Sequence, residues 1–361
     1  MAERVLVAMS GGVDSAVAAA LLHRQGYDVI GVTMRLYTEA DETALRSGRT
    51  CCGIEDVGDA RAAAQRIGIP HYTINLEREF NRDVISTFVD AYANGRTPNP
   101  CLACNEKVKF STLLERGLAM GVDRLATGHY ARVAQDGDTY RLHRAVDDDK
   151  DQSYVLYPLQ QDALRRTLFP LGDPTKPEVR AIARDLGLTS VADKPDSVDI
   201  CFIPSRDYRG FVASHGVTST PGVIEDAEGR TIGKHEGIAN YTVGQRKGFQ
   251  LTQTPPARQF VTSIDPQRNV IVVGDERELA VRTVEAGLAR WVADAPEPDE
   301  VLEARVRYHA EPAEARVTHL DGDRFTVEFA RPVRAAAPGQ AVVLYRGSEV
   351  VGGGTITSAS N

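Results

Sequence analysis

A short apolar run, Val5-Leu6-Val7-Ala8-Met9, leads straight into Ser10-Gly11-Gly12-Val13-Asp14-Ser15, and a helix-compatible stretch opens at Ala16. Strand, paired glycines and helix in that order point to an α/β architecture whose first loop is an anion cradle. Backbone N–H groups of Gly11 and Gly12 can approach a phosphate because no Cβ stands in the way, and the next helix adds its partial positive charge. Ser10 and Ser15 supply hydroxyl donors, and Asp14 is placed to hold a magnesium ion that bridges phosphates. One component is missing. A GxxxxGK[ST] loop brings its own lysine, whereas no lysine or arginine lies between Arg4 and Arg24. A plain βα turn is the bland alternative for such a glycine pair.

The first two hundred or so residues alternate apolar and amphipathic segments. The pattern predicts strands at Val5–Met9, Asp28–Met34, Tyr72–Leu76 and Arg124–Thr127, with helices at Ala16–Gln25, near Val57–Ile67, at Arg78–Ala93 and from Asn105 to Met120. That is a parallel sheet with right-handed crossovers. Ligands in such sheets sit at the carboxyl ends of strands, so the loops after Met9, Met34 and Thr127 should converge on one pocket. From about Phe211 the texture becomes Gly- and Pro-punctuated, and from Phe260 it turns to short β segments. Phe260–Ile264 and Val270–Val273 read as a hairpin, followed by strands near Val301–Tyr308, Ala313–His319, Arg324–Phe329 and Ala341–Tyr345 that suggest a small β-barrel. We therefore expect an α/β domain over 1–208, a small central domain over 209–280 and a β-barrel over 281–361.

Composition narrows the setting. No apolar stretch reaches the ~18 residues of a membrane span, and the start carries charge and a strand rather than a signal sequence, so a cytoplasmic location is expected. A formal charge of −8 in 361 residues argues against nonspecific coating of nucleic acid, although a local basic face can hold one structured RNA. Arg305, Arg307, Arg316 and Arg324 are candidates for such a face, or for an ordinary solvated barrel surface. The acidic cluster Asp147-Asp148-Asp149 reads most simply as a solvated loop.

Five cysteines suit chemistry or burial better than a disulfide framework. Pro98 and Pro100 stiffen the segment before Cys101-Leu102-Ala103-Cys104, and Asn105 is a plausible N-cap for the next helix. A helix start with Lys107 and Lys109 nearby would lower the Cys104 pKa and favour a nucleophilic thiolate. Cys201 comes much later, in Asp199-Ile200-Cys201-Phe202-Ile203-Pro204. Inert, buried thiols are the alternative for both. The adjacent pair Cys51-Cys52 cannot easily bridge to itself, so a structural role is favoured there.

The Ser10–Ser15 motif resembles that of the ATP pyrophosphatases, which cleave between the α and β phosphates. Together with Asn99-Pro100-Cys101-Leu102-Ala103-Cys104-Asn105 and Ser197-Val198-Asp199-Ile200-Cys201, it resembles the tRNA uridine 2-sulfurtransferases, the MnmA-type 2-thiouridylases. Thr127-Gly128-His129-Tyr130, Lys150-Asp151-Gln152-Ser153-Tyr154, Tyr241 to Gly248 and Arg307-Tyr308 extend the likeness over nearly the whole chain.

The resemblance implies ATP-dependent adenylation of O2 of an unmodified wobble uridine in tRNA, then replacement of that oxygen by persulfide sulfur from a relay donor protein. It assigns the ATP site to Ala8, Met9, Ser10, Gly11, Gly12, Val13, Asp14 and Ser15 with Met34 and Gly128. Cys201 matches the persulfide carrier and Cys104 the second nucleophile, which releases sulfide or forms a Cys104–Cys201 disulfide. Asn99, Pro100 and Cys101 would line the target base, while His129, Lys150, Asp151, Gln152, Arg307, Tyr308 and Gln340 match tRNA-contacting positions. Cys101 stands where many relatives carry aspartate, which removes a candidate base. It also creates a C-x-x-C pair that, with Cys201, is the donor set of an iron–sulfur cluster as an alternative. Other readings are a lysidine synthetase-like pyrophosphatase, or a nucleotide-binding RNA module without catalysis.

Overall fold

The computed structural model describes residues 2–37, 54–196, 200–203, 205, 207–252 and 257–361. Cys51-Cys52, the 38–52 loop and much of the segment around Cys201, including Asp199 and Pro204, lie outside the described residues. The chain divides into two compact units: Met1–Val84, Cys101–Asp207 and Ser348–Val350 form the first, and Ile85–Pro100, Tyr208–Gly347 and Val351–Asn361 the second.

The first unit is built on a five-stranded parallel sheet. Its strands are β1 (Arg4–Ala8), β2 (Asp28–Arg35), β3 (His71–Asn75), β4 (Arg124–Thr127) and β7 (Thr167–Leu168), in the order β3-β2-β1-β4-β7. β1 is central because Val5 to Ala8 are apolar on both faces, as a strand covered by helices on both sides requires. Ala8 stands opposite Val32 on one side and Thr127 on the other. The chain leaves β1 towards β2 and β3 and returns on the opposite edge as β4, so the crevice where strand order reverses opens between the loops after β1 and β4. Helix α1 (Val13–Arg24) packs on α2 (Ile54–Ile67) and α3 (Lys176–Asp185), and half of its buried residues are alanine, which permits close approach.

Two features differ from the sequence expectation. The hairpin β5 (Ala131–Asp136) and β6 (Thr139–Arg144) is a paired ladder absent from the strands read in the sequence, because its polar, half-exposed residues hide the strand period. The helix expected to start at Asn105 starts at Pro100 and runs through Ala119, with π-helical geometry over Cys104–Leu113. Proline at a first helical position needs no N–H partner, so Pro100 initiates where stiffening alone was foreseen.

In the second unit, β8 (Gly222–Glu225), β9 (Thr231–His235), β10 (Gln250–Leu251), β11 (Phe260–Asp265) and β12 (Val270–Gly274) form one sheet, and the β11–β12 hairpin is as read from the sequence. The remaining strands are β13 (Ala280–Trp291), β14 (Val301–Arg305), β15 (Ala313–Asp321), β16 (Arg324–Arg334), β17 (Ala341–Arg346) and β18 (Glu349–Ser360). They run β13-β16-β15-β14-β17-β18, and the β13–β18 pairing closes a six-stranded barrel. Inward residues alternate along β16 as Phe325, Val327 and Phe329. A Cβ on Gly354 would come within 2.6 Å of the Phe325 ring, so glycine there makes room for the aromatic. We expect Phe325→Ala to cost about 3–5 kcal/mol. Trp291 is the sole tryptophan and its ring centroid lies 5.2 Å from that of Phe325, so its fluorescence in urea reads the shift.

Candidate active site

The phosphate loop is shaped by its own side chains. The Ser10 backbone N–H donates to Ser15 Oγ at 3.0 Å, and that hydroxyl donates onward to the Gly12 carbonyl at 3.2 Å. Gly11 has φ +72°, the left-handed region, which lets the chain reverse between strand and helix. Gly12 is the N-cap of α1 and no side chain caps that end, so the helix offers N–H groups to an anion. Gly128, just past β4, closes the other side: a Cβ there would lie 2.7 Å from the Ser15 backbone nitrogen. The loops after β1 and β4 therefore touch, as the strand order requires. Met34 and Met9 are buried at neighbouring strand ends, tied by Thr33 Oγ1, which donates to the Met9 carbonyl at 2.9 Å.

The cations missing from the loop arrive from far along the chain. Lys176 Nζ lies 2.7 Å from both Asp14 carboxylate oxygens, and Tyr130 Oη donates to Asp14 Oδ1 at 2.8 Å. Lys194 Nζ donates to the Gly11 carbonyl at 3.2 Å and bridges Asp56 and Asp59 of α2 at 2.7 and 2.8 Å. Neither lysine was singled out from the sequence, because no local motif links them to the loop. The expectation that Asp14 holds magnesium does not fit this arrangement: both its oxygens face an ammonium. Among the described residues no group of three or more Cys, His, Asp or Glu is placed to hold a metal ion, and that includes the Cys101, Cys104 and Cys201 set considered for an iron–sulfur cluster.

The three described cysteines, Cys101, Cys104 and Cys201, lie in the same unit. Cys101 and Cys104 both sense the charge of Cys201, whose sulfur accepts a hydrogen bond from Tyr37 Oη at 3.2 Å. Tyr37, Phe80 and Phe202 pack edge to face beside it. Asn105 is no N-cap. It is 1% exposed inside the helix, donates Nδ2 to the Val155 carbonyl at 2.9 Å and accepts from Lys109 Nζ at 2.9 Å, which aims that ammonium at the thiols. Lys109 favours ionisation of Cys104, but burial is the larger effect and pushes the thiol up to about 11. The Cys101 side chain is exposed, and neighbouring protein and the like charge of Cys201 push its thiol upward. The lowered pKa anticipated for Cys104 is thus corrected: burial outweighs Lys109, and the residue lies in the second turn, past the unpaired N–H groups of the helix start. Alkylation of Cys104 by iodoacetamide should rise about tenfold per pH unit from roughly pH 7 to pH 10, read by mass spectrometry of the labelled peptide. A plateau near neutral pH would contradict this.

Of the residues matched to tRNA contacts, His129 is 9% exposed, with Nδ1 within 2.7 Å of Thr127 Oγ1. Burial first, then Lys109, keeps it neutral. The Asp151 carboxylate accepts from Ala145 N, Ser153 N and Ser153 Oγ, and Gln152 Oε1 accepts from Tyr130 N, so both side chains brace their own loop. Lys150 pairs at 2.9 Å with Asp196, which Lys176 also touches. Asp147, read as part of a solvated cluster, accepts from the Lys176 backbone N–H at 2.8 Å.

Asn99, Pro100, Arg307, Tyr308 and Gln340 belong to the second unit. There Gln340 Nε2 donates to the Thr97 carbonyl at 2.9 Å, close to Asn99, and Arg307 donates to the Val243 and Ala335 carbonyls at 3.0 and 2.9 Å. Arg316 and Arg324 are exposed, whereas Arg305 is buried with its guanidinium 5.4 Å from the Tyr345 ring centroid and does not belong to a basic face.

A parallel sheet with an uncapped, glycine-opened loop at its switch point defines a phosphate-loop α/β protein of the nucleotide-binding kind. Residues 3–205 match the profile described as the tRNA methyl transferase HUP domain, 209–275 the tRNA methyl transferase PRC-barrel domain, and 281–356 the aminomethyltransferase beta-barrel domain. The tRNA-specific 2-thiouridylase MnmA of Carboxydothermus hydrogenoformans is 48% identical over 98% of this chain and 97% of its own. The protein of the same name from Chloroflexus aurantiacus is 49% identical, covering 98% of each chain. The chain belongs to this family of enzymes, the tRNA-specific 2-thiouridylases.

Proposed function

We propose that the chain catalyses ATP-dependent 2-thiolation of the wobble uridine of tRNA. The uracil O2 attacks the α-phosphorus of ATP held on the Ser10–Ser15 loop, pyrophosphate leaves, and the N3 proton is lost to solvent. An oxygen that would leave poorly as hydroxide is thereby converted to a good leaving group, AMP. The terminal sulfur of a Cys201 persulfide then attacks C2. Cys104 either releases that sulfur beforehand as hydrosulfide or attacks the persulfide S–S bond afterwards, and a Cys104–Cys201 disulfide results. A relay protein supplies the persulfide, and the base leaves its stack to reach the site. The 1–208 domain performs the chemistry, while 209–280 and 281–361, with Arg307, Tyr308 and Gln340, hold the tRNA.

One observation carries this reading. Lys109 is near enough to Cys101, Cys104 and His129 for its charge to act on all three, and Gly128, next to His129, abuts Ser15, which supports a sulfur site close to the phosphate loop. Incubation with unmodified tRNA, ATP with magnesium and a persulfide donor should give a uridine heavier by about sixteen daltons, the sulfur-for-oxygen exchange, in nucleoside mass spectrometry. An unchanged nucleoside, with the donor shown competent, would refute it.

A further inference from the structure

Lys176 is 7% exposed and stands at the first position of the ten-residue helix α3. Its backbone is fixed by the Thr175–Glu178 capping box and by Asp147, so the ammonium is delivered by a rigid element. Nζ touches Asp14 twice and Asp196 at 2.9 Å. Neither carboxylate depends on it alone. Asp14 also accepts from Tyr130, and Asp196 is also paired with Lys150 and Arg180, at 2.9 and 2.8 Å. Asp196 therefore stays compensated if Lys176 releases it, whereas Tyr130 gives Asp14 a hydrogen bond but no charge.

Asp14 lies in the first turn of α1, whose uncapped N-terminus is the anion cradle. A bare carboxylate there would repel a polyphosphate at close range, where the interaction is strong. An ammonium already beside it removes that opposition and has the charge to replace it. Lys194 is differently placed, because it clamps the Gly11 carbonyl to α2.

We propose that Lys176 is a nucleotide-binding residue whose ammonium stays on Asp14 and exchanges Asp196 for the β- and γ-phosphates of ATP, supplying in space the charge that other phosphate loops carry in sequence. This rests on the adenylation reading above. AMP lacks those two phosphates, so it serves as the internal control. In calorimetric titrations of the full chain, Lys176→Met should weaken ATP binding by about tenfold to a hundredfold, the worth of a charge-assisted hydrogen bond, and change AMP binding by less than about twofold. Unchanged ATP affinity, or equal weakening for ATP and AMP, overturns the proposal, the second result marking a merely structural lysine. If the wild-type chain binds neither nucleotide, the adenylation reading itself falls, and this with it. Lys176→Gln gives the same comparison if K176M lacks a cooperative melt. In the unsubstituted chain, ATP and inorganic pyrophosphate should slow acetylation of Lys176 and AMP should not; equal labelling under all three conditions overturns the proposal.

Discussion

Cys104→Ser and Cys201→Ser should each lower 2-thiouridine formation by more than about a thousandfold, since a serine hydroxyl neither carries sulfane sulfur nor attacks it at neutral pH. Pyrophosphate release on adding tRNA should stay within about tenfold of wild type, because adenylation uses the loop and not the thiols. The two readouts separate sulfur chemistry from activation. Nucleoside mass spectrometry and a coupled pyrophosphate assay on the same samples measure both. Sustained thiouridine formation by either variant would remove the paired-thiol mechanism. Simultaneous loss of pyrophosphate release would mean that the thiols hold the target base as well. The raised pKa of Cys104 gives this a further edge: the resting group is a thiol, so its attack must begin with loss of a proton, and Lys109 is the cation that favours that loss.

Gly11→Ala should abolish measurable ATP binding, a loss of at least about a hundredfold, for reasons independent of chemistry. At φ +72° an L side chain is strained by about 1–2 kcal/mol before any contact is counted. The added Cβ would also lie 2.3 Å from the Asp56 carbonyl oxygen and 2.8 Å from Asp56 Cα, which are backbone atoms that cannot rotate aside. Either α2 backs away or the loop flattens. In both cases Lys194 loses its simultaneous hold on Gly11 and Asp56, and the cradle loses its shape. Gly12→Ala is the comparison. Its Cβ would meet only Ser10 Oγ, at 3.5 Å, and its φ of −98° suits any residue, so the fold should survive. Calorimetry with ATP, beside thermal melts of both variants, tests this. Wild-type ATP affinity in the Gly11→Ala chain would show that the loop is reshaped freely and that the cradle is not the binding element.

The alternating segments of the first half were legible because a buried parallel strand is a largely apolar run, a signal that β1 carries most purely and β2 and β4 carry between polar ends. The barrel strands were legible for the opposite reason, an in-and-out alternation such as Phe325, Val327 and Phe329. The β5–β6 hairpin carries neither signature, and its strands were missed. Helix starts were the weakest point. Asn105 had the right chemistry for a cap, yet its side chain found a buried carbonyl and a lysine instead, a choice set by what packs against the helix.

Within the sequence alone lay the order of the elements, the glycine-opened loop, the two candidate thiols and the likeness to the thiouridylases. These are local in the chain: a turn needs its glycines and a nucleophile needs its sulfur, wherever they fall in space. Tertiary structure alone decided the electrostatics. It brought Lys176 to Asp14, Lys194 to Gly11 and Lys109 near the thiols and His129, and it surrounded the half-buried Cys104 with enough protein to raise its pKa. Charge interactions and desolvation depend on distances of a few ångströms and on the surrounding medium, and chain position prescribes neither.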